Sequence, residues 1–531
     1  MQNQFYRCAF RWVGRALCLG SLLLSSCKPN WGDETQNAWN PNENPEILVD
    51  KDSKFVRKFS ASGGTSALPL SGEVSADHYP YSDSYWPDFL GGVAYRWNQS
   101  MLYDPQKRQT LPVSMELMVP AVLKNNPNPT PEQWNEALEQ MLKQNPKENP
   151  RNLVKLTYES KLLRKKDLLA LKQLPEQQML YELAALSPAE KFDILLGNVD
   201  TYPMVQLELA RVANMHYWHL KSRVEKLREK SINPIEDKMV KLYLTEIPEW
   251  LGLCAGWAFT STQFREPYPV IAMNSQVKDK DLEIKVPFGS ADIKALMSHY
   301  YEVVVFQPGL VIPNKPLVEN NNVFKSVGKM CRNPNESGAK KPFQTDKECL
   351  GNNAGSFHLV ISNVIGLQKK PVLADMDKYW EVWNFPIFNY QSKVIREIGK
   401  TYPQGNGYVA APGTEKIIQM EMTLKLREEG FPAWNPIDTY YQNGKQLFVR
   451  EYGRARSATN PSGEWKPLEY YLELNSKDEI IGGEWISDNG PDIMWNRQPV
   501  PFQGAWTKLQ SLYEQSISEK MPHLHGQFQR F

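Results

Sequence analysis

Two periodicities divide the chain. Residues 130–247 carry apolar positions at helical spacing, and LARVANMHYWHLKSRVEKLREK (209–230) holds the pattern for six turns. Start signals sit where that reading needs them. Thr130-Pro131-Glu132-Gln133 and Ser187-Pro188-Ala189-Glu190 each put a hydroxyl cap before Pro at the first helical position, with Gln or Glu three residues after the cap. Beyond residue 250 the period shortens. SFHLVISNVIG (356–366), KKPVLAD (369–375), KIIQMEMTLKL (416–426), EYYLELN (469–475) and EIIGGEWI (479–486) alternate in the manner of antiparallel strands. A further helix is expected from Ser290 in SADIKALMSHYYEVV. The pattern predicts an α+β fold with a helical front half and a sheet behind it.

The first 26 residues follow neither period. Arg7, Arg11 and Arg15 precede an apolar run, Ala16–Leu24, that is too short to span a bilayer. This reads as a secretory signal peptide, and Leu24-Ser25-Ser26-Cys27 reads as a lipoprotein cleavage site that leaves Cys27 for lipidation. Lys28 after that Cys favours the outer membrane of a cell envelope. Removing residues 1–26 takes three Arg and no acid, so the net charge falls from +1 to −2. Such a balanced chain is not built to coat nucleic acid. Residues 27–75, rich in Asn, Pro, Ser and Gly, read as a flexible tether. Residues 76–245 read as a mainly helical N-terminal region, and 246–531 as a domain carrying chemistry and the antiparallel sheet.

Cysteine is sparse. With Cys8 and Cys18 in the signal and Cys27 lipidated, three remain. Cys331 and Cys349 lie 18 positions apart in a polar segment. A disulfide between them would stabilise the fold by about 3 kcal/mol. Cys254 is then the lone thiol. It follows Pro248 and lies in GLCAGWA (252–258), at the start of an apolar run that can be helical. A thiol at a helix N-terminus feels the positive end of the dipole, which favours the thiolate nucleophile. Such a nucleophile needs a base and a group that orients the base. His358 in the SFHLVISNVIG segment, with Asp375 at the end of the next strand, supplies both types in the chain order of papain-like acyl-transfer sites. Asp377 is a rival to Asp375.

These residues sit in a longer run of likenesses. LSPAEKFDILLG (186–197), GLCAGWA, PFGSADIKALMSHYY (287–301), SFHLVISNVIG, Asp375 through EVWNFP (381–386), and YYLELNSKDEIIGGEWISDNGPDIMW (470–495) occur in one order. In that order they resemble the transglutaminase elicitor family of oomycete cell-wall proteins and their bacterial relatives. The resemblance covers about residues 186–500. It implies a transglutaminase-like, papain-related domain with a Cys254, His358 and Asp375 triad. Its substrates would be a protein or peptide glutamine and a primary amine. Ala255 departs from the polar residue that often follows the family Cys. Deamidation, proteolysis and non-catalytic surface binding are the alternatives on the same fold.

Around the triad, Trp250, Gly256, Trp257, Glu484 and Trp485 are cleft candidates, with core packing the competing reading for the tryptophans. No cofactor is certain. Asp279, Asp281 and Glu283 lack the calcium-loop pattern, so calcium is compatible with the sequence but not indicated. His216 and His219 share a helix face without further ligands, so no metal is expected there. A non-reduced peptide map of the secreted chain should show Cys331 joined to Cys349; two free thiols there would remove the disulfide.

Overall fold

The computed structural model describes residues 44–59, 73–97, 114–274, 277, 279–306, 325–328, 351–376, 382–403, 409–430, 439–442, 445–448, 467–487 and 490–518. The signal segment, Cys27, Asp377 and the Cys331–Cys349 pair lie outside them. Ten α-helices occur among the described residues: α1 Pro131–Leu142, α2 Lys165–Leu171, α3 Glu176–Ala184, α4 Pro188–Leu195, α5 Pro203–Glu229, α6 Lys238–Thr245, α7 Cys254–Gln263, α8 Ser290–His299, α9 Ala354–Ile361 and α10 Thr507–Ser516. None of them is long and apolar enough to cross a membrane. The caps that the sequence signals are formed. Thr130 exchanges hydrogen bonds with Gln133, and Ser187 with Glu190. α8 starts at Ser290 and runs on into a π-helical segment, Tyr300–Phe306.

Eight strands make one antiparallel sheet. They are β1 Glu73–Ser75, β2 Lys325–Gly328, β3 Val372–Asp375, β4 Asn384–Gly399, β5 Lys416–Leu426, β6 Leu468–Leu474, β7 Ile480–Trp485 and β8 Ile493–Asn496. Their order is β7-β6-β5-β4-β3-β8-β2, with β1 added on β4. β3 and β4 form a hairpin whose register sets Asp375 opposite Asn384. Helix α7 packs on β3 and β4 and against α8, whereas α9 packs on β6 and β7 and on the turn Pro45–Leu48. The helices and the antiparallel sheet give the α+β class expected above.

One expectation fails. SFHLVISNVIG is not a strand. Residues 354–361 are helical and continue as a π-helix over Ser362–Leu367. Asn353 caps the start by accepting from the Gly355 and Ser356 amides at 2.8 and 3.4 Å. Residues 354–366 are buried throughout, so apolar side chains face every direction and the alternation in the sequence marks no exposed face.

The helical half and the Cys254 helix share one apolar core, from Tyr81 and Trp86 through α5 and α8 to Tyr513. Charged groups are buried within it in pairs. Lys191 on α4 meets Asp292 on α8 at 2.7 Å, both side chains fully buried. Asp292 also accepts from the Trp97 indole and the Gly289 amide, each at 2.7 Å. Arg211 on α5 bridges Asp88 and Glu208, and Glu208 meets His299 at 3.0 Å. Lys294 meets Glu266 at 2.6 Å. Removing one partner leaves the other charge uncompensated in low dielectric. Asp292→Ala should therefore cost about 3–5 kcal/mol in urea unfolding, far more than loss of an exposed pair such as Arg228–Glu139.

Candidate active site

Cys254 opens α7, and Leu253 before it supplies no side-chain cap. The turn that delivers it is clamped by residues 85–88. Leu253 N–H donates to the Tyr85 carbonyl at 2.5 Å, Asp88 N–H donates to the Leu251 carbonyl at 2.8 Å, and the Tyr85 hydroxyl donates to the Glu249 carbonyl at 2.9 Å. A Cβ on Gly252 would lie 2.3 Å from the Tyr85 carbonyl, so only glycine admits this close approach. The aromatic-rich stretch before residue 98 is thus a wall of the site. The Tyr85 ring meets Trp383 edge-on at 5.6 Å.

The sulfur faces the turn end of the β3–β4 hairpin. Cys254 Sγ donates to the Val382 carbonyl and accepts from Asn384 Nδ2, both at 3.5 Å. Trp495 Nε1 donates to Asn384 Oδ1 at 2.7 Å, which fixes the orientation of that amide. Asp375 is the cross-strand neighbour of Asn384, and its Oδ1 accepts from the Trp383 amide at 3.0 Å. Asn384 is thus the centre of the constellation: it bonds Cys254 and stands across the strand pair from Asp375. Asn384 lies inside the EVWNFP motif, but a lone Asn at a strand start carries no signal of its role. The fold supplies that by laying α7 across the strand.

His358 is not part of this constellation. Its Nδ1 lies 2.8 Å from the Tyr470 hydroxyl, and its Nε2 has no hydrogen-bond partner among the described residues, so neither nitrogen bonds Cys254 or Asp375. The ring is fully buried beside Phe59. Burial pushes its pKa down to about 3. His358 does not lie on a strand next to that of Asp375, because α9 is a helix packed on β6 and β7.

The expected low pKa of the thiol is also overturned. Burial pushes the Cys254 thiol well up, the charges of Glu429 and Glu302 push it further, and the Asn384 hydrogen bonds only partly oppose them. Glu302, on the π-helical segment, accepts from the Gly256 amide at 2.5 Å. Its carboxyl is raised to about 7, mainly by burial.

The cleft candidates divide. Gly256 lets α7 approach α8 closely, since a Cβ there would lie 2.2 Å from the Ser298 carbonyl. Trp257 is fully buried in the core. Trp250 meets His219 edge-on at 5.0 Å. Trp485 donates to the Asn352 carbonyl at 2.6 Å and packs on Phe357 and Tyr470, beside His358 rather than Cys254. Glu484 is half-buried on the same strand. His216 bonds the Tyr243 carbonyl at 2.8 Å as a packed side chain of α5. No group of three His, Cys, Asp or Glu suited to a metal occurs among the described residues. Asp279 and Glu283 pair with Lys165 and Lys280 at the surface.

The centre of the site is thus a buried thiol at a helix start, facing a strand hairpin in an α+β body. The model of the transglutaminase elicitor family matches residues 221–520, more than half of the chain, and the chain belongs to that family. Among solved structures, the GP42 transglutaminase from Phytophthora sojae matches at 15% identity with a TM-score of 0.40, covering 85% of this chain and 95% of that one. That likeness is too distant to carry residue roles. No curated protein matches.

The imidazoles make the fold acid-sensitive. His358 takes up a proton near 6.5 when unfolded but only near 3 in the fold, and His216 and His219 shift the same way. The unfolded chain therefore binds more protons between those values. Their contribution to stability is intact above about pH 6.5 and is lost progressively toward pH 3. Urea titrations between pH 7 and 4 should show stability falling, with a shallower fall in His358→Gln.

Proposed function

We propose that this chain is a transglutaminase-like acyltransferase whose nucleophile is Cys254. The observation that carries the reading is the sulfur at the first residue of α7, held by Asn384 against the hairpin end that bears Asp375. In the proposed reaction the sulfur attacks a glutamine side-chain carbonyl. The C–N bond breaks, and ammonia leaves with the thiol proton. A primary amine then attacks the thioester, forming an isopeptide bond and returning the proton to sulfur. Asn384 Nδ2 is suited to polarise the carbonyl oxygen, since Trp495 keeps its donor end toward the sulfur. The triad role suggested for His358 requires an imidazole within reach of the sulfur. In the present arrangement His358 is bonded to Tyr470 instead. The envelope location and the lipid on Cys27 complete the proposal: the enzyme would act on proteins or peptides near a membrane surface.

A second reading has its own support. The raised thiol pKa and an imidazole bonded to Tyr470 rather than to the sulfur fit a family member that keeps the fold for binding and has lost catalysis. One assay separates the two. The chain is given a glutamine-rich protein and a fluorescent primary amine, and amine incorporation is recorded with ammonia release. Incorporation should vanish in Cys254→Ala and fall about 100-fold in Asn384→Ala, the size seen when a polarising side-chain amide is removed from an acyl-transfer site. Ammonia without incorporation would mean deamidation. Neither signal would leave the binding reading.

A further inference from the structure

The amide of Gly256 is one of the free N–H groups that give α7 its positive end, and Cys254 stands at that end. It does not face solvent or an empty pocket. Glu302 Oε2 accepts from it at 2.5 Å, from a buried side chain on the segment that continues α8. We propose that Glu302 is a positioning residue that holds the Cys254 thiol protonated, by seating a carboxylate on the positive end of its helix. The inference rests on the reading of Cys254 as the reactive centre.

The charge balance supports it. A helix N-terminus is equivalent to roughly half a positive charge, and one carboxylate outweighs it. Glu302 is itself held in a crowded field. Arg211 of α5 and Arg497 beyond β8 favour its charged form, Asp88 of the clamping segment opposes it, and Glu208 and His299 stand behind Arg211. The thiol feels Glu302 together with Glu429, which follows β5. Tight packing keeps the carboxylate in place: a Cβ on Gly256 would lie 2.9 Å from the Glu302 Cβ. The carboxyl titrates near neutrality, so its brake on the thiol is weak in acid and full at alkaline pH. Neutralising it at fixed pH leaves the helix end uncompensated and the thiolate favoured.

The test reads the proton on sulfur and needs no turnover. The full chain is titrated by ultraviolet thiolate absorbance, and the signal of its Cys254→Ala counterpart is subtracted to isolate Cys254. Circular dichroism confirms the fold of each variant. Glu302→Gln keeps the shape and the acceptor for the Gly256 amide but removes the charge. It should lower the Cys254 midpoint by about one unit, making the thiolate about tenfold more abundant at a given pH between about 8 and the midpoint. Alkylation of the Cys254 peptide, followed by mass spectrometry, should gain the same factor above pH 8 and little below pH 6. An unchanged midpoint in folded Glu302→Gln, or a gain with no pH dependence, would overturn the proposal. The wild-type chain gives an independent reading. A Cys254 midpoint at or below that of an ordinary thiol overturns the proposal whether or not the variant folds. If amine incorporation is absent while Glu302→Gln lowers the midpoint, the acyl-transfer reading falls and this one stands.

Discussion

The close approach of α7 to the chain beyond α8 is the contact on which the rest of the site depends. Gly256 has no side chain, so the two backbones meet with the Ser298 carbonyl and the Glu302 Cβ where a side chain would stand. This brings Glu302 onto the α7 amides and sinks Cys254 beneath the surface. A residue with a Cβ would force the helices apart, and the sulfur would move with α7 relative to Asn384. Closeness of packing and the electrostatic state of the thiol are therefore one constraint, imposed by a missing methyl group.

The buried charges explain why the helical front half belongs with the site. Arg211 on the long α5 helix holds Asp88, and Asp88 donates its amide to the turn that delivers Cys254. Lys191 and Asp292 tie α4 to α8, and α8 leads into the segment that carries Glu302. Such pairs give little net stability compared with apolar packing, but each tolerates only one geometry, because a broken buried pair is costly. They fix how the helices of the front half pack on one another and on α8. The residues before position 98 serve the same end through backbone bonds, which hold the nucleophile turn from its N-terminal side.

Local rules made much of this legible. The caps at Thr130 and Ser187, the start of α8 at Ser290 and the alternating β3, β5, β6 and β7 segments each depend on neighbours within a few residues. Cys254 was visible because a Pro turn, flanking glycines and an apolar run mark a helix start. His358 was misread because a fully buried segment exposes no polar face, so its alternation carries no information about period. Asn384 was hidden for the opposite reason: its neighbours explain it as an ordinary strand residue, and its partners are 130 positions before it and 111 after it in sequence.

By itself the sequence determined the α+β division, most elements and the residue able to act as a nucleophile, since these follow from short-range periodicity, capping and residue chemistry. The order of its motifs also pointed to the family. Tertiary structure alone decided which groups surround the sulfur. It put Asn384 beside it with Asp375 across the strand pair, placed His358 against Tyr470 instead, and set carboxylates near a helix end that would otherwise favour the thiolate. The reason is physical: a thiol's state depends on burial and on charges within a few ångströms, and those distances arise only when segments far apart in the chain pack together.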